Sequence, residues 1–249
     1  MKANMGRIIS VIMVSVGVLI GFFLAGSFIW AYLELPLYFD YDFTSVRTEN
    51  QQYSILNCPF VLTPTETGQV SLDIPNTTDK PINILFRAYV SYMNGITRNV
   101  ELKSTIPIGE FRTLKFEVNS KDIFYHYFIF VKTYQFSTYN TPSRMGSCAI
   151  LMIPISFLTG YQVLIISILL MGLFVIVGIY TWIKYNRPMR GMASNALNAM
   201  ITLSVLLSVA LIAGMRGWWV FGLFLLVVVL LLVVVTLTYF ISEPRENRF

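Results

Sequence analysis

The side chains that could perform chemistry in this sequence are few. The chain has one histidine, His126, and two cysteines, Cys58 and Cys148, among its 249 residues. A catalytic nucleophile needs a base beside it, and a structural or catalytic metal site needs three or four ligands. One imidazole and two widely spaced thiols meet neither requirement. No phosphate-binding glycine loop or hydrolase motif is present either. The sequence therefore predicts no catalytic residue, no metal site and no cofactor.

A second group of candidates consists of charged side chains that flank predicted membrane segments. These are Arg144, Arg216, Glu34, Asp40 and Asp42. An enzyme that acts on lipid or glycan at the outer membrane face would need such groups close together. They share no motif spacing, so we predict that the protein is not an enzyme and keep the outer-face enzyme as an alternative.

The two cysteines fit a structural role better than a chemical one. Both lie in a region predicted to be extracytoplasmic, where disulfides persist. We predict a bridge between Cys58 and Cys148 that joins the first and last strands of that region, with two buried free thiols as the alternative. Asn76-Thr77-Thr78 is an N-glycosylation acceptor pattern in the same region. An asparagine there also suits a turn.

Long stretches without charge define the elements that must carry these residues. Only 12% of the chain is charged, against about 25% in soluble domains. About 20 apolar residues are needed to cross a bilayer as a helix. Four stretches meet this length, and we predict transmembrane helices over residues 8–33, 161–183, 195–215 and 217–241. The alternatives are a cleaved signal peptide ending near Ala25-Gly26-Ser27 and a re-entrant third segment.

The distribution of basic residues predicts the orientation of the chain. The predicted cytoplasmic segments are residues 1–7, 184–194 and 242–249, and region 34–160 is predicted to be extracytoplasmic. Short cytoplasmic loops are rich in Lys and Arg. The basic residues of the predicted inner segments are Lys2, Arg7, Lys184, Arg187, Arg190, Arg245 and Arg248. The net charge of +5 therefore reflects membrane topology, and we predict no nucleic-acid partner.

Region 34–160 changes to a period-two pattern that is typical of β-strands. Val70, Leu72 and Ile74, for example, alternate with Ser71 and Asp73. Short alternating runs separated by turn residues favour an antiparallel sandwich. The predicted strands cover residues 59–63, 68–75, 82–92, 97–103, 111–118, 123–134 and 147–153. His126 is expected in the middle of the sixth strand, as a sheet residue with a satisfied hydrogen bond, and a pH-sensing role is the alternative.

Two turn sequences carry a resemblance to a known class of module. Asn-Thr-Thr-Asp-Lys-Pro at 76–81 and Pro-Ile-Gly-Glu at 107–110 flank predicted strands. In this the region resembles immunoglobulin-like and fibronectin-III-like modules of cell-surface proteins. The resemblance implies an immunoglobulin-like β-sandwich inserted between the first two helices of a four-helix transmembrane bundle. It is a likeness of fold and implies no function.

The predicted spans carry packing residues and interfacial aromatic residues. Gly17, Gly21 and Ala25 repeat every four residues on the first helix, and Ser204 and Ser208 do so on the third. Small residues at this spacing let two helices approach closely. Trp30, Trp182, Trp218 and Trp219 lie near predicted span ends, where aromatic rings anchor helices at the membrane interface.

Together these features predict a non-catalytic integral membrane subunit or scaffold. Its extracytoplasmic domain would dock a partner protein, and its partners would be membrane lipids and other membrane or extracytoplasmic subunits. The predicted spans contain no Asp, Glu, Lys or Arg, whereas pumps and ion-coupled transporters place ionisable groups there. A pore or transporter component assembled with other chains is the first alternative, ahead of the outer-face enzyme.

Overall fold

The computed structural model describes residues 2–39, 56–92, 96–136 and 144–242. The chain divides into two compact units. The helical unit comprises Met1–Trp30 and Leu164–Phe249, and the two-sheet unit comprises Ala31–Val163. Asp40, Asp42 and the predicted tail beyond residue 242 lie outside the described residues.

The described residues include four helices that are long and apolar enough to span a membrane. They are α1 (Lys2–Tyr38), α2 (Gly160–Tyr185), α3 (Met192–Met215) and α4 (Trp219–Ser242). This confirms the predicted set of four apolar helices. The first helix runs past residue 33, through Glu34 and Pro36, because its last turn packs within the two-sheet unit. There the Tyr38 ring lies 4.5 Å from the Phe124 ring.

In the described part of the chain, eight strands form two sheets. A three-stranded sheet has the order β1-β3-β6, and a five-stranded sheet has the order β2-β8-β7-β4-β5. Their bounds are β1 (Leu56–Asn57), β2 (Val61–Leu62), β3 (Gly68–Pro75), β4 (Ile82–Ser91), β5 (Thr97–Ile106), β6 (Phe111–Val118), β7 (Phe128–Gln135) and β8 (Arg144–Met152). Neighbouring strands are antiparallel, apart from β2, which runs parallel to β8.

Alternating side chains from both sheets form one hydrophobic core. Val70 and Leu72 of the three-stranded sheet and Phe86 and Ile129 of the five-stranded sheet are fully buried in it. Each large side chain removed from water in this way stabilises the fold by about 1.5–3 kcal/mol. The period-two pattern therefore identified the inward faces of these strands. It also predicted the bounds of β3 and β6 correctly.

In place of the predicted strand 59–63, the structure has two short strands, β1 and β2, of which only β2 lies within the predicted range. β1 pairs with β3 in one sheet, and β2 pairs with β8 in the other. Pro59 lies between them and has no N–H for a ladder hydrogen bond. The chain changes sheets at this point, and β1 itself was not predicted.

The prediction of one strand over residues 123–134 was wrong. The strand begins only at Phe128, and residues 125–127 form a turn. Tyr125 has φ 47° and His126 has φ 69°, and the Tyr127 N–H donates to the Phe124 carbonyl at 3.3 Å. The sequence did not reveal the turn because the run is apolar or aromatic on both sides of it. His126 is an exposed turn residue and does not belong to the sheet.

The disulfide between Cys58 and Cys148 is present and links the two sheets. Cys58 directly follows β1, whereas Cys148 is a buried residue of β8. The bridge closes a loop with a sequence separation of 90 residues. Closing a loop of this length stabilises a fold by roughly 4–5 kcal/mol, because the cross-link restricts the unfolded chain.

Replacing both cysteines by serine is expected to lower the free energy of unfolding of the two-sheet unit by about 4 kcal/mol. Denaturant unfolding of the full chain in detergent, followed by near-ultraviolet circular dichroism, measures this loss. Wild-type protein treated with a phosphine reductant serves as the control and should show the same loss. A loss below about 1 kcal/mol in both samples would contradict the structural role of the bridge.

Candidate functional site

One end of the two-sheet unit receives the last turn of α1 and supplies the first turn of α2, and we call it the helix-bearing end. Glu66 holds this end together. Its Oε2 atom accepts hydrogen bonds from the Gly160 N–H at 2.7 Å, the Thr63 N–H at 2.9 Å and the Thr63 hydroxyl at 2.8 Å. A carboxylate is favourable here because the first N–H groups of a helix lack intrahelical acceptors and carry partial positive charge.

These hydrogen bonds determine the ionisation of Glu66. Burial by itself raises the pKa of the Glu66 carboxyl, but the donors of Gly160 and Thr63 together lower it by more. The pKa of Glu66 therefore lies below its ordinary value of 4.5, and the group is a carboxylate at neutral pH.

Gly160 allows α2 to begin in direct contact with β2. A Cβ atom at position 160 would lie 2.8 Å from the Leu62 Cα and would overlap the Val61 carbonyl. The Leu62 carbonyl in turn accepts the Ile153 N–H at 3.0 Å. Because backbone atoms surround this position, a larger residue there would force the helix away from the strand.

The end of α1 is attached through Tyr38. Its hydroxyl donates to the Ile96 carbonyl at 2.8 Å and accepts the Tyr92 N–H at 3.4 Å. Its ring packs against Phe124 and Phe130, with centroid distances of 4.5 and 5.4 Å. The last turn of α1 and the first turn of α2 therefore both make specific polar contacts within the two-sheet unit.

An ion pair between the buried carboxylate of Asp122 and the partly exposed Arg98 positions the turn that follows β6. Asp122 is almost fully buried and accepts hydrogen bonds from Arg98 Nε at 3.0 Å and Arg98 Nη2 at 2.9 Å. It also accepts the Asn119 N–H at 3.0 Å, and its own carbonyl accepts the Ser91 hydroxyl at 2.6 Å. Replacing Arg98 would leave the buried Asp122 carboxylate without its charged partner, which is destabilising.

A groove of about 1140 Å³ opens beside this turn. Most of its wall is apolar or aromatic, and no Asp, Glu, Lys or Arg is found among the described residues that line it. The lining residues are Leu37, Tyr38, Pro64, Ser120, Ile123, Phe124, Tyr125, His126, Tyr127, Met152 and Pro154.

The outer face of the five-stranded sheet carries a different kind of surface. We define the outer-face cluster as Arg87, Tyr89, Glu101, Tyr134 and Phe136. The Arg87 guanidinium donates to Glu101 at 2.8 Å, lies within 3.4 Å of the Tyr89 hydroxyl and stacks over the Phe136 ring at 5.2 Å. Tyr134 packs edge-to-face on Phe136, with centroids 4.9 Å apart.

The helical unit shows where the predicted packing glycines lie. A Cβ at Gly17 would be 2.8 Å from Val175 of α2, and one at Gly21 would be 2.6 Å from Leu207 of α3. Across the same contact, the Ser10 hydroxyl donates to the Gly178 carbonyl at 2.6 Å. Gly17 and Gly21 of α1 therefore face other helices of this same chain.

The other predicted packing and anchoring residues occupy varied environments. Ala25 is fully buried. The hydroxyls of Ser204 and Ser208 donate to carbonyls of their own helix, at Met200 and Ser204.

The four tryptophans also differ from one another. Trp30 and Trp218 are exposed, and Trp219 is half-buried. Trp182 is buried, and its indole N–H donates to the Ala193 carbonyl at 3.0 Å. Trp182 thus fixes the connection between α2 and α3.

Asn76 is a buried turn residue. Its amide nitrogen lies within 3.0 Å of the carbonyls of Lys80, Ile106 and Pro107, and its amide oxygen accepts from Thr78. A glycan on that nitrogen would disrupt these hydrogen bonds, so the folded geometry favours the turn role over the acceptor role.

Within the part of the chain that the structure describes, no group of three or more His, Cys, Asp or Glu side chains is placed to hold a metal ion. Arg216 belongs to the helical unit, whereas Glu34 and Arg144 belong to the two-sheet unit.

Two carboxylates that matter to the structure, Glu66 and Asp122, were not singled out from the sequence. A signal was present, because Thr63 precedes Glu66 and Asn119 precedes Asp122 by three residues. That is the spacing of a capping box.

Comparisons with known proteins give no family. No protein-family model matches the chain, and no curated protein does so. The CARDB domain of PF1109 from Pyrococcus furiosus is similar at 12% identity and TM-score 0.31, covering 46% of this chain and 99% of that one. The DNA glycosylase AlkC of Pseudomonas fluorescens is similar at 15% identity and TM-score 0.30, covering 39% of this chain and 29% of that one. A β-glucuronidase of Bacteroides uniformis is similar at 11% identity and TM-score 0.28, covering 38% and 12%. These TM-scores are too low to support an assignment of fold or function.

Two glycines of α2 provide a matched test of helix packing. Leucine at position 178 would meet Val14 and the backbone of Ser10, whereas position 172 has open space around it. Gly178→Leu is expected to destabilise the helical unit by about 1–3 kcal/mol through overpacking. Gly172→Leu should be neutral or slightly stabilising, since leucine favours a helix more than glycine does. Thermal unfolding in detergent separates the two variants, and equal midpoints would contradict the described contact.

The lowered pKa of Glu66 predicts how stability depends on pH. The stabilisation by the carboxylate is complete above about pH 4.5 and is lost as the pH falls through the lower pKa of the folded state. Glu66→Gln should therefore flatten the decline of the melting temperature in this acidic range. Thr63→Val, which removes one of the three donors, should flatten it only in part. An unchanged acid slope in Glu66→Gln would refute the role of this carboxylate.

Proposed function

We propose that this protein is a non-catalytic integral membrane subunit whose two-sheet unit docks a partner protein outside the cytoplasm. In this proposal both termini are cytoplasmic and region 34–160 is extracytoplasmic. The basic loop that contains Lys184, Arg187 and Arg190 supports this orientation, because short basic loops stay on the cytoplasmic side.

We also propose an immunoglobulin-like class for the two-sheet unit. The order of its sheets supports this assignment, since immunoglobulin-like sandwiches place the second and third strands of the chain in different sheets and can extend the larger sheet by an added edge strand. Here the two short pieces β1 and β2 together correspond to the first strand, so β3 and β4 correspond to the second and third. β3 and β4 lie in different sheets, and β5 extends the larger sheet. The disulfide differs from the antibody pattern, because it leaves from the segment between β1 and β2.

The outer-face cluster is the observation that carries the docking proposal. Tyrosine and arginine are the residues most enriched where protein interfaces gain their binding energy. Here Arg87, Tyr89, Tyr134 and Phe136 lie half-buried on one sheet face and are already ordered by contacts with one another. Side chains that are ordered before binding lose less conformational entropy when a partner binds.

The ion pair of the cluster contributes little to the stability of the fold. The side chains of Arg87 and Glu101 are partly solvent-exposed, and exposed pairs are worth about 0–1 kcal/mol. Its residues also lie outside the shared hydrophobic core. Partner recognition is the better explanation of so many large polar and aromatic groups on one face.

The test is recovery of partners by affinity purification in mild detergent from the native membrane. We expect stoichiometric partners with the wild-type chain and at least a tenfold lower recovery with Arg87→Ala/Tyr134→Ala, which corresponds to about 1.4 kcal/mol or more. The matched control is Arg112→Ala/Lys115→Ala, which alters two exposed side chains of β6 in the other sheet. A wild-type chain without partners, or equal recovery with both double variants, would count against the proposal.

A further inference from the structure

The turn of residues 125–127, at the helix-bearing end, exposes aromatic side chains on the protein surface. Its backbone conformation is energetically unfavourable. Tyr125 and Tyr127 are 70% and 56% exposed. The positive φ angles of Tyr125 and His126 belong to the left-handed region, which costs roughly 1–2 kcal/mol for each non-glycine residue. Strain of this kind persists only where the surroundings enforce it, and it clusters at functional sites.

Several contacts enforce this conformation from both sides of the turn. On one side, the Arg98–Asp122 pair fixes the chain just before Ile123. On the other, the Phe124 N–H donates to the Phe128 carbonyl at 2.6 Å, and the Tyr127 carbonyl accepts the Met152 N–H at 2.7 Å. The backbone is anchored, while the rings at positions 125 and 127 contribute little to the core.

The groove beside the turn is continuous with a membrane-spanning helix. Leu37 and Tyr38, which line it, are the last residues of the candidate span Met5–Tyr38. On its other side, the chain from Met152 to Gly160 contains no charged residue and leads directly into the span Gly160–Tyr185. In this linker Phe157 is 84% exposed. The uncharged surface therefore adjoins the ends of two helices that are long and apolar enough to span a membrane.

From this placement we infer that the turn and the groove bind phospholipid. Tyr125 and Tyr127 enter the interfacial layer of the bilayer, and the groove receives lipid at the level of the glycerol groups and upper acyl chains. Tyrosine suits this layer because its ring is apolar and its hydroxyl stays hydrated. An apolar groove with a few hydroxyl and imidazole groups is typical of sites for amphipathic ligands.

The lack of charged residues in the groove favours lipid over a protein as its occupant. A protein-docking surface usually has a polar rim that pairs with charges on the partner. The outer-face cluster fits that description, whereas the groove contains no Asp, Glu, Lys or Arg among its described lining residues. Lipid binding at the helix-bearing end does not depend on the docking role proposed above.

The test places a fluorescent probe on the turn of the full chain. Both native cysteines are in the disulfide, so Tyr125→Cys provides a single reactive thiol. The matched control is Phe111→Cys, since Phe111 is 71% exposed but lies at the opposite end of β6. That end is roughly 23 Å from Val118 at a rise of 3.3 Å per residue. A membrane-impermeant maleimide probe labels molecules in vesicles of phosphatidylcholine and phosphatidylglycerol whose two-sheet unit faces outward.

Two quenchers then report what surrounds each probe. We expect phospholipids with nitroxide groups near the glycerol to quench the probe at position 125 at least threefold more than the probe at position 111. Aqueous iodide should show the reverse order. Equal quenching at both positions by both agents would overturn the inference.

Other occupants give different results. Protection from iodide without quenching by nitroxide lipid would mean that protein covers the turn, which would also overturn the inference. Protection that increases with the protein-to-lipid ratio would assign the surface to a second copy of the chain. Tyr127→Cys repeats the measurement if Tyr125→Cys does not give a monodisperse protein with the disulfide formed, so that the outcome does not depend on one variant.

Discussion

The direct contact between Gly160 and the backbone of β2 is the constraint on which the helix-bearing end depends. Position 160 has room for a hydrogen atom only, since Val61 and Leu62 fill the space of a side chain. Glu66 then connects to the first N–H of α2 through a charge-assisted hydrogen bond, which is about twice as strong as a neutral one. The first turn of α2 is therefore part of the two-sheet unit and does not act as a flexible linker.

The other contacts of this end follow from that constraint. Leu62 is in register with Met152, so the start of α2 fixes where β8 ends. Phe128 of β7 pairs with Leu151 of β8, and the turn before Phe128 is thereby brought beside Tyr38 of α1. A single edge strand of two residues thus aligns the ends of two helices with an aromatic turn.

The sequence predicted the parts of this structure that depend on periodicity and on the absence of charge. Those patterns directly predict the four apolar helices and the inward faces of β3, β4 and β6. The pairing of Cys58 with Cys148 follows for a different reason, since the sequence has only these two cysteines. The end of α1 did not follow, because the helix continues through Glu34 and Pro36 to contacts that are remote in sequence. Local propensity cannot anticipate such tertiary packing.

The candidate sites were harder to predict than the fold, for a related reason. The outer-face cluster joins β4, β5 and β7 through the pairing of Arg87 with Glu101 and with Tyr134, and register between strands cannot be read from any one of them. The helix-bearing end likewise depends on Glu66, held by Thr63, bonding to Gly160 across 94 residues of separation.

The turn at Tyr125 and His126 shows where local and global preferences conflict. Tyrosine favours extended backbone in such an aromatic run, yet the surrounding hydrogen bonds hold both residues in the left-handed region. A turn of this kind is far more easily made by Asn-Gly, so stability alone does not explain the residues found here. Sequences usually depart from local preference where a side chain is needed for function. Tyr125 and Tyr127 are both exposed here, and the inferred contact of their rings with the lipid interface offers an explanation for this choice.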